Sequence, residues 1–195
     1  VLRVRLVEVF PEAVVDAVSG DVNPLVFRRV SCTGAVVQNG AAVGTGTSRT
    51  LRWENGPLPV ANQTLEVQSG GCTLNCGADD VYRLRFYETT ATVARINNTG
   101  GQVTVLLLHN PTSTAVVGHI YFRDTAGTLR NTHLIGVSAR GSLAIVTTNL
   151  TNLGAFSGSA TVTHNGAFGG LAGKAVALEP ATGYSFDTPL VPRRR

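Results

Sequence analysis

VTVLLLHNPTSTAVVGHIYFRDTAGTLRNTHLIGV, residues 103–137, decides the fold. It holds three short runs rich in Val, Ile, Leu and Thr: VTVLLL (103–108), AVVGHIYF (115–122) and TLRNTHLIGV (128–137). Such residues suit a pleated, half-buried surface, and the Asn-Pro and Asp-Thr-Ala-Gly breaks supply turn chemistry. The pattern continues through SLAIVTT (142–148), SATVTH (159–164) and GKAVALEP (173–180). Upstream, DVYRLRFYETT (80–90) alternates, with Val81, Arg83, Arg85 and Tyr87 opposing Tyr82, Leu84, Phe86 and Glu88. About eight strands at spacings of about 8–12 residues predict an all-β, antiparallel β-sandwich, immunoglobulin-like or jelly-roll-like.

The first part of the chain is β-rich but less regular. LRVRLVEVF (2–10) reads as a strand with one polar face, stopped by Pro11. EAVVDAV (12–18) is the best helical candidate, and at most two turns of it. LVFRRVSC (25–32), GAVVQN (34–39), RTLRWE (49–54) and TLEVQS (64–69) read as strands. Two β-domains follow. Residues 1–79 form an N-terminal domain ending in a Cys-containing loop, and 80–195 a C-terminal sandwich with a short basic tail.

Charged residues make up only 14% of the 195, against about 25% in typical soluble domains. A surface of hydroxyls and amides in their place suits extracellular β-proteins and packed assemblies. The net charge of +4 does not indicate a nucleic-acid partner. Arg193, Arg194 and Arg195 carry three of the positive charges, and without them 13 bases face 12 acids. Phosphate binding needs bases clustered on one face, and these are scattered. A single lysine, Lys174, stands against 15 arginines, a skew read as the mark of a GC-rich bacterial genome. No apolar run approaches the roughly 20 residues of a membrane helix, and no signal peptide is visible. The absence of Met fits a processed chain or a piece of a longer one.

Cys72 and Cys76 lie in the Gly/Asn-rich loop SGGCTLNCGADD. A turn brings residues four apart within bonding range, so the expectation is a Cys72–Cys76 disulfide, with Cys32 left over as a buried or partnered thiol. That bond would place the protein outside the reducing cytoplasm.

Candidate chemistry is sparse. GGLAGKA (169–175) has Phe168 and Ala175 where a phosphate loop needs Gly and Ser/Thr, and a strand-to-helix context is missing. Lys174 shares parity with Val176 and Leu178. It is expected to snorkel to the sheet edge, with an isopeptide bond as the alternative. His119 and His133 flank the Asp124–Gly127 turn. They face each other only if the loop is three residues, whereas a two-residue loop pairs Phe122 with Leu129. GVSAR (136–140) lacks the final Gly of a nucleophile elbow. Asp79 and Asp80 are read as a solvated cap before a calcium site. Trp53, Tyr82, Phe86, Tyr87, Tyr121, Phe122 and Tyr184 would make a glycan platform if exposed and coplanar, and core residues otherwise. The sequons at Asn62, Asn97 and Asn149 are chance matches in a bacterial chain. No catalytic residue, metal ligand or cofactor is assigned.

SGGCTLNCG, DVYRLRFYETT, ARINNTGGQVTVLLLHNPT (94–112) and GKAVALEPATGYSFDTPLVPR (173–193) together resemble the C-terminal β-sandwich domains of secreted and cell-surface bacterial proteins, over residues 69–193. The resemblance implies an extracellular location and a structural, adhesive or anchoring task, and brings no catalytic residue with it. The expected function is therefore that of a non-enzymatic building block, self-associating into a fibre or surface layer. Its assembly strand would be Leu2, Val4, Leu6, Val7 and Val9, added to a neighbour's open edge. The alternative is a carbohydrate- or ligand-binding module of a larger secreted protein, and a third reading is a hydrolase with a Ser–His pair or two carboxylates drawn from distant strands.

Overall fold

The computed structural model describes residues 2–5, 11–19, 24–29, 34–42, 48–52, 62–69 and 81–193. They form sixteen strands, one turn of 3-10 helix (Thr147–Asn149) and no α-helix. The chain divides into two compact units, Val1–Glu88 and Thr89–Arg195.

The first unit holds β1 (Leu2–Arg5), β2 (Pro11–Ser19), β3 (Pro24–Arg29), β4 (Val36–Asn39), β5 (Ala41–Ala42), β6 (Arg49–Arg52), β7 (Asn62–Ser69) and β8 (Val81–Glu88). They make two four-stranded antiparallel sheets, in the orders β1-β7-β3-β4 and β5-β6-β2-β8. One core draws on both: Ala13, Val15 and Leu51 from the second sheet, Val26 and Leu65 from the first. The segment expected to be helical is β2. Its buried residues Ala13 and Val15 recur at a period of two, and its backbone is paired on both sides, by β6 and β8. β-Branched valines with tertiary pairing on two flanks outweigh a weak local helix propensity. VYRLRFYE (81–88), expected to open the second domain, is β8 and pairs along its length with β2.

The second unit holds β9 (Thr90–Asn97), β10 (Val103–His109), β11 (Val116–Asp124), β12 (Leu129–Val137), β13 (Ser142–Val146), β14 (Ser157–His164), β15 (Ala172–Glu179) and β16 (Tyr184–Pro192). They form one antiparallel sheet in the order β12-β11-β14-β9-β16-β15-β10-β13, curled until it is nearly closed. β16 makes the sheet continuous. It pairs with β15 from Tyr184 to Pro189, then with β9 from Leu190 to Pro192. Pro189 stands at the last residue of the first pairing, where a missing N–H is tolerated best. Val93, Ile96, Leu106, Leu108, Ile120, Phe122, Ile135, Phe156 and Val162 fill the interior, with Phe122 and Phe156 edge-to-face at 6.1 Å.

Three buried polar side chains tie loops to this core. Asn110, fully buried, donates through Nδ2 to the carbonyls of Thr114 (2.8 Å), Val137 (3.2 Å) and Ser138 (3.1 Å). Its Oδ1 accepts from the backbone N–H and hydroxyl of Thr112, at 3.0 and 2.7 Å. Asn98 Oδ1 likewise accepts from Thr104 N–H and the Thr147 hydroxyl, while that hydroxyl also reaches the Thr104 carbonyl at 2.7 Å.

Candidate functional site

The expected assembly strand is engaged inside the chain. Leu2 pairs with Leu65 and Val4 with Gln63 in β7, so β1 is an edge strand, while Leu6, Val7 and Val9 lie outside the described residues. Cys32, Cys72, Cys76, Asp79, Asp80 and Trp53 also lie outside them.

The histidines around the β11–β12 turn do not meet. A register shift after Phe122 sets His119 opposite Leu134 and His133 opposite Ile120. The loop is the three-residue one, Thr125 to Gly127, closed by Asp124 N–H on the Thr128 carbonyl at 3.0 Å and by Asp124 Oδ1 accepting from the backbone N–H groups of Ala126 and Thr128. An extra residue on β12, Arg130, lies between the pairs Arg123–Leu129 and Phe122–Asn131 and moves the histidines out of register. Among the described residues no three His, Cys, Asp or Glu side chains gather as metal ligands. GGLAGKA is a turn leading into β15, and Lys174 forms an ion pair with Asp187 of β16 at 2.5 Å, both side chains about half exposed. GVSAR ends β12 and turns into β13, with Ser138 O accepting from Gly141 N.

One pairing escaped the sequence. His109 and Ser142 are direct cross-strand partners on β10 and β13, with Nδ1 and Oγ 3.0 Å apart. They border an open depression of about 370 Å³ together with Leu107, Ala144 and Lys174. Among the described residues no carboxylate contacts the other ring nitrogen of His109, so the imidazole lacks the orienting acid of a hydrolytic triad. Only the strand register reveals this pair, since the residues are 33 apart in sequence.

The electrostatically tuned group lies in the first unit. Asp16 on β2 accepts from the Ser48 hydroxyl at 2.8 Å and forms an ion pair with Arg85 on β8. The Ser48 hydrogen bond, followed by Arg85, holds the Asp16 carboxyl below its ordinary value against the opposing effect of burial. Asp16 in turn raises Arg85, which also lies 5.8 Å from the centre of the Tyr87 ring. This constellation joins β2 and β8 to the residue that precedes β6.

The aromatics divide. Tyr121, Phe122 and Phe156 are buried, whereas Tyr184 and Phe186 are 67% and 53% exposed. These two alternate along β16, so they share a face. Arg95 of β9 stacks over Phe186 at 6.0 Å. Arg95 also lines an open depression of about 710 Å³, with Ala94, Asp124, Thr125, Ser157 and Ser159. Phe186 stood outside the platform read from sequence; its two-residue spacing from Tyr184 was the available signal.

Comparison of the chain with protein-family models, curated proteins and solved structures finds no match. The structure defines the class as an antiparallel all-β protein of two units, with no helix among the described residues long and apolar enough to cross a membrane.

Proposed function

We propose that this is a non-enzymatic, exported structural or adhesive protein whose β-sandwich units associate with other copies of the chain through open strand edges. The observation that carries this reading is β4. Val36-Val37-Gln38-Asn39 pairs with β3 only, has no other strand partner among the described residues, and exposes Val36 and Val37 by 40% and 48%. Edge strands usually carry a charge, a proline or a bulge that blocks further pairing. The four residues of β4 have no charge and no proline, and their one irregularity is a bulge at Val37, between the pairs Arg28–Gln38 and Arg29–Val36, whereas β1, at the opposite edge, carries two charges, Arg3 and Arg5. β4 is therefore the better edge for a neighbour's strand.

A second feature supports the same reading. VTVLLL is apolar on both faces, the pattern of a strand covered on both sides. Leu106 and Leu108 are buried in the core, while Leu107 on the outer face is 37% exposed; further along the same ladder Leu178 of β15, opposite Val103, is 40% exposed. The low charge and the resemblance to secreted bacterial domains support export. Light scattering over a concentration series, with negative-stain electron microscopy, tests the proposal. Oligomers or filaments should form and be dissolved by V37K. Monomers up to the highest soluble concentration, or assembly unaffected by V37K, would overturn it.

A further inference from the structure

We propose that the surface formed by Tyr184, Phe186 and Arg95 binds a pyranose glycan bearing acidic sugar units. The inference stands apart from self-association and concerns only the second unit. Its starting point is the place where β16 changes partner. Because β16 pairs with β9 only from Leu190 onward, its first residues, Tyr184 to Pro189, are paired with β15 and not with β9. Tyr184 and Phe186 stand on that stretch about 6.8 Å apart, the repeat of alternate residues on a strand. Most other aromatics of this unit are spent on its interior, so two neighbouring exposed rings form a local apolar surface with polar surroundings.

Arg95 is placed there by an irregularity of β9. Val93 pairs with Ala160 and Ile96 with Gly158, so Ala94 and Arg95 together oppose Ser159 alone. Such a bulge re-aims a side chain that would otherwise follow the strand's alternation. It brings the guanidinium over the Phe186 ring and onto the rim of the 710 Å³ depression. Among the described residues no carboxylate pairs with Arg95, whereas the nearby Asp124 is committed. Its Oδ1 serves two turn amides, and its Oδ2 lies 3.7 Å from Arg130.

The chemistry follows from these parts. Aromatic faces pack against the C–H faces of pyranose rings. The Ser157, Ser159 and Thr125 hydroxyls lining the depression suit a ligand made of hydroxyl groups. The uncommitted, planar guanidinium suits a carboxylate, which selects uronic-acid units over neutral ones.

Affinity electrophoresis of the full chain tests this, in gels containing polygalacturonate, laminarin (a neutral glucan) or no polysaccharide. Polygalacturonate should retard the protein more than laminarin does. Tyr184→Ala and Phe186→Ala should each weaken retention roughly three- to tenfold. Arg95→Gln should abolish the preference for the acidic polymer. All three side chains are exposed, so far-UV circular dichroism should be unchanged. The aromatic variants keep the net charge, so their loss of retention separates stacking from attraction of a basic protein to a polyanion. No retardation in either gel, retention unchanged in both aromatic variants, or an acidic preference that survives Arg95→Gln would each overturn the proposal.

Discussion

Replacing Asn110 by Asp changes one heavy atom at the most heavily bonded side chain of the second unit. The native Nδ2 donates to three backbone carbonyls, and its Oδ1 accepts from Thr112 twice. Asn110→Asp keeps the acceptor but sets a carboxylate oxygen against those three carbonyls. Two of them retain other donors, Thr114 O from the Thr112 hydroxyl and Ser138 O from Gly141 N, and Val137 stands opposite Val116 in the β11–β12 ladder, so the larger effect is the new charge facing three carbonyl oxygens. One buried group left unpaired costs about 1–3 kcal/mol, and a buried charge without a cation adds more. A loss of roughly 3–5 kcal/mol is expected, a large share of the 5–15 kcal/mol typical of a whole domain.

The pH dependence separates the two contributions. Burial without a cation raises the folded pKa of the new carboxyl above its unfolded value. The charge penalty is therefore absent below the unfolded pKa and grows as pH rises through it toward the folded one. Urea unfolding followed by circular dichroism at several pH values measures this. Hydrogen exchange should show loosening confined first to residues 110–115 and 137–142, the two loops that Asn110 joins. Asn110→Ala, which introduces no charge, should be destabilised to a similar degree at every pH. An Asn110→Asp variant as stable as the native chain at neutral pH, or one whose deficit does not shrink on acidification, would refute the reasoning.

Other consequences are more local. Asp16 has its folded pKa lowered below the ordinary 3.8, so its stabilisation is present above that value and is lost as pH falls through the folded pKa. Ser48→Ala should reduce this part of the acid sensitivity of the first unit, measured as urea midpoint against pH, and an unchanged profile would remove Ser48 from the account. Gly118→Ala places a Cβ 1.8 Å from the Thr163 carbonyl oxygen, whereas Gly136→Ala meets nothing within 4 Å. The first should cost roughly 1–3 kcal/mol or more and the second less than about 0.5, and equal midpoints for the two would contradict the close strand approach.

The second unit was legible in the sequence because its strands carry their signal locally. The valine-, leucine- and threonine-rich runs at 103–108, 115–122 and 128–137 became β10, β11 and β12, separated by the turns that Asn110-Pro111 and Asp124–Gly127 announced. β16 was not read as a strand. Asp187, Pro189 and Pro192 hide it from any propensity argument, and its pairing depends on the positions of β15 and β9. For β2 the failure ran the other way, since seven residues without helix breakers suit either a helix or a strand until neighbours pair their backbone.

By itself, then, the sequence determined the antiparallel all-β class, the ordering of apolar faces and the absence of contiguous catalytic motifs, because each depends on residues close together in the chain. Tertiary structure alone decided the rest. The register shift at Phe122 separated two histidines, the pairing of β10 with β13 joined His109 to Ser142, and the partner change of β16 exposed Tyr184 and Phe186 beside Arg95. Each outcome turns on a register or a partner, and a one-residue step in either carries a side chain to the opposite face of the sheet.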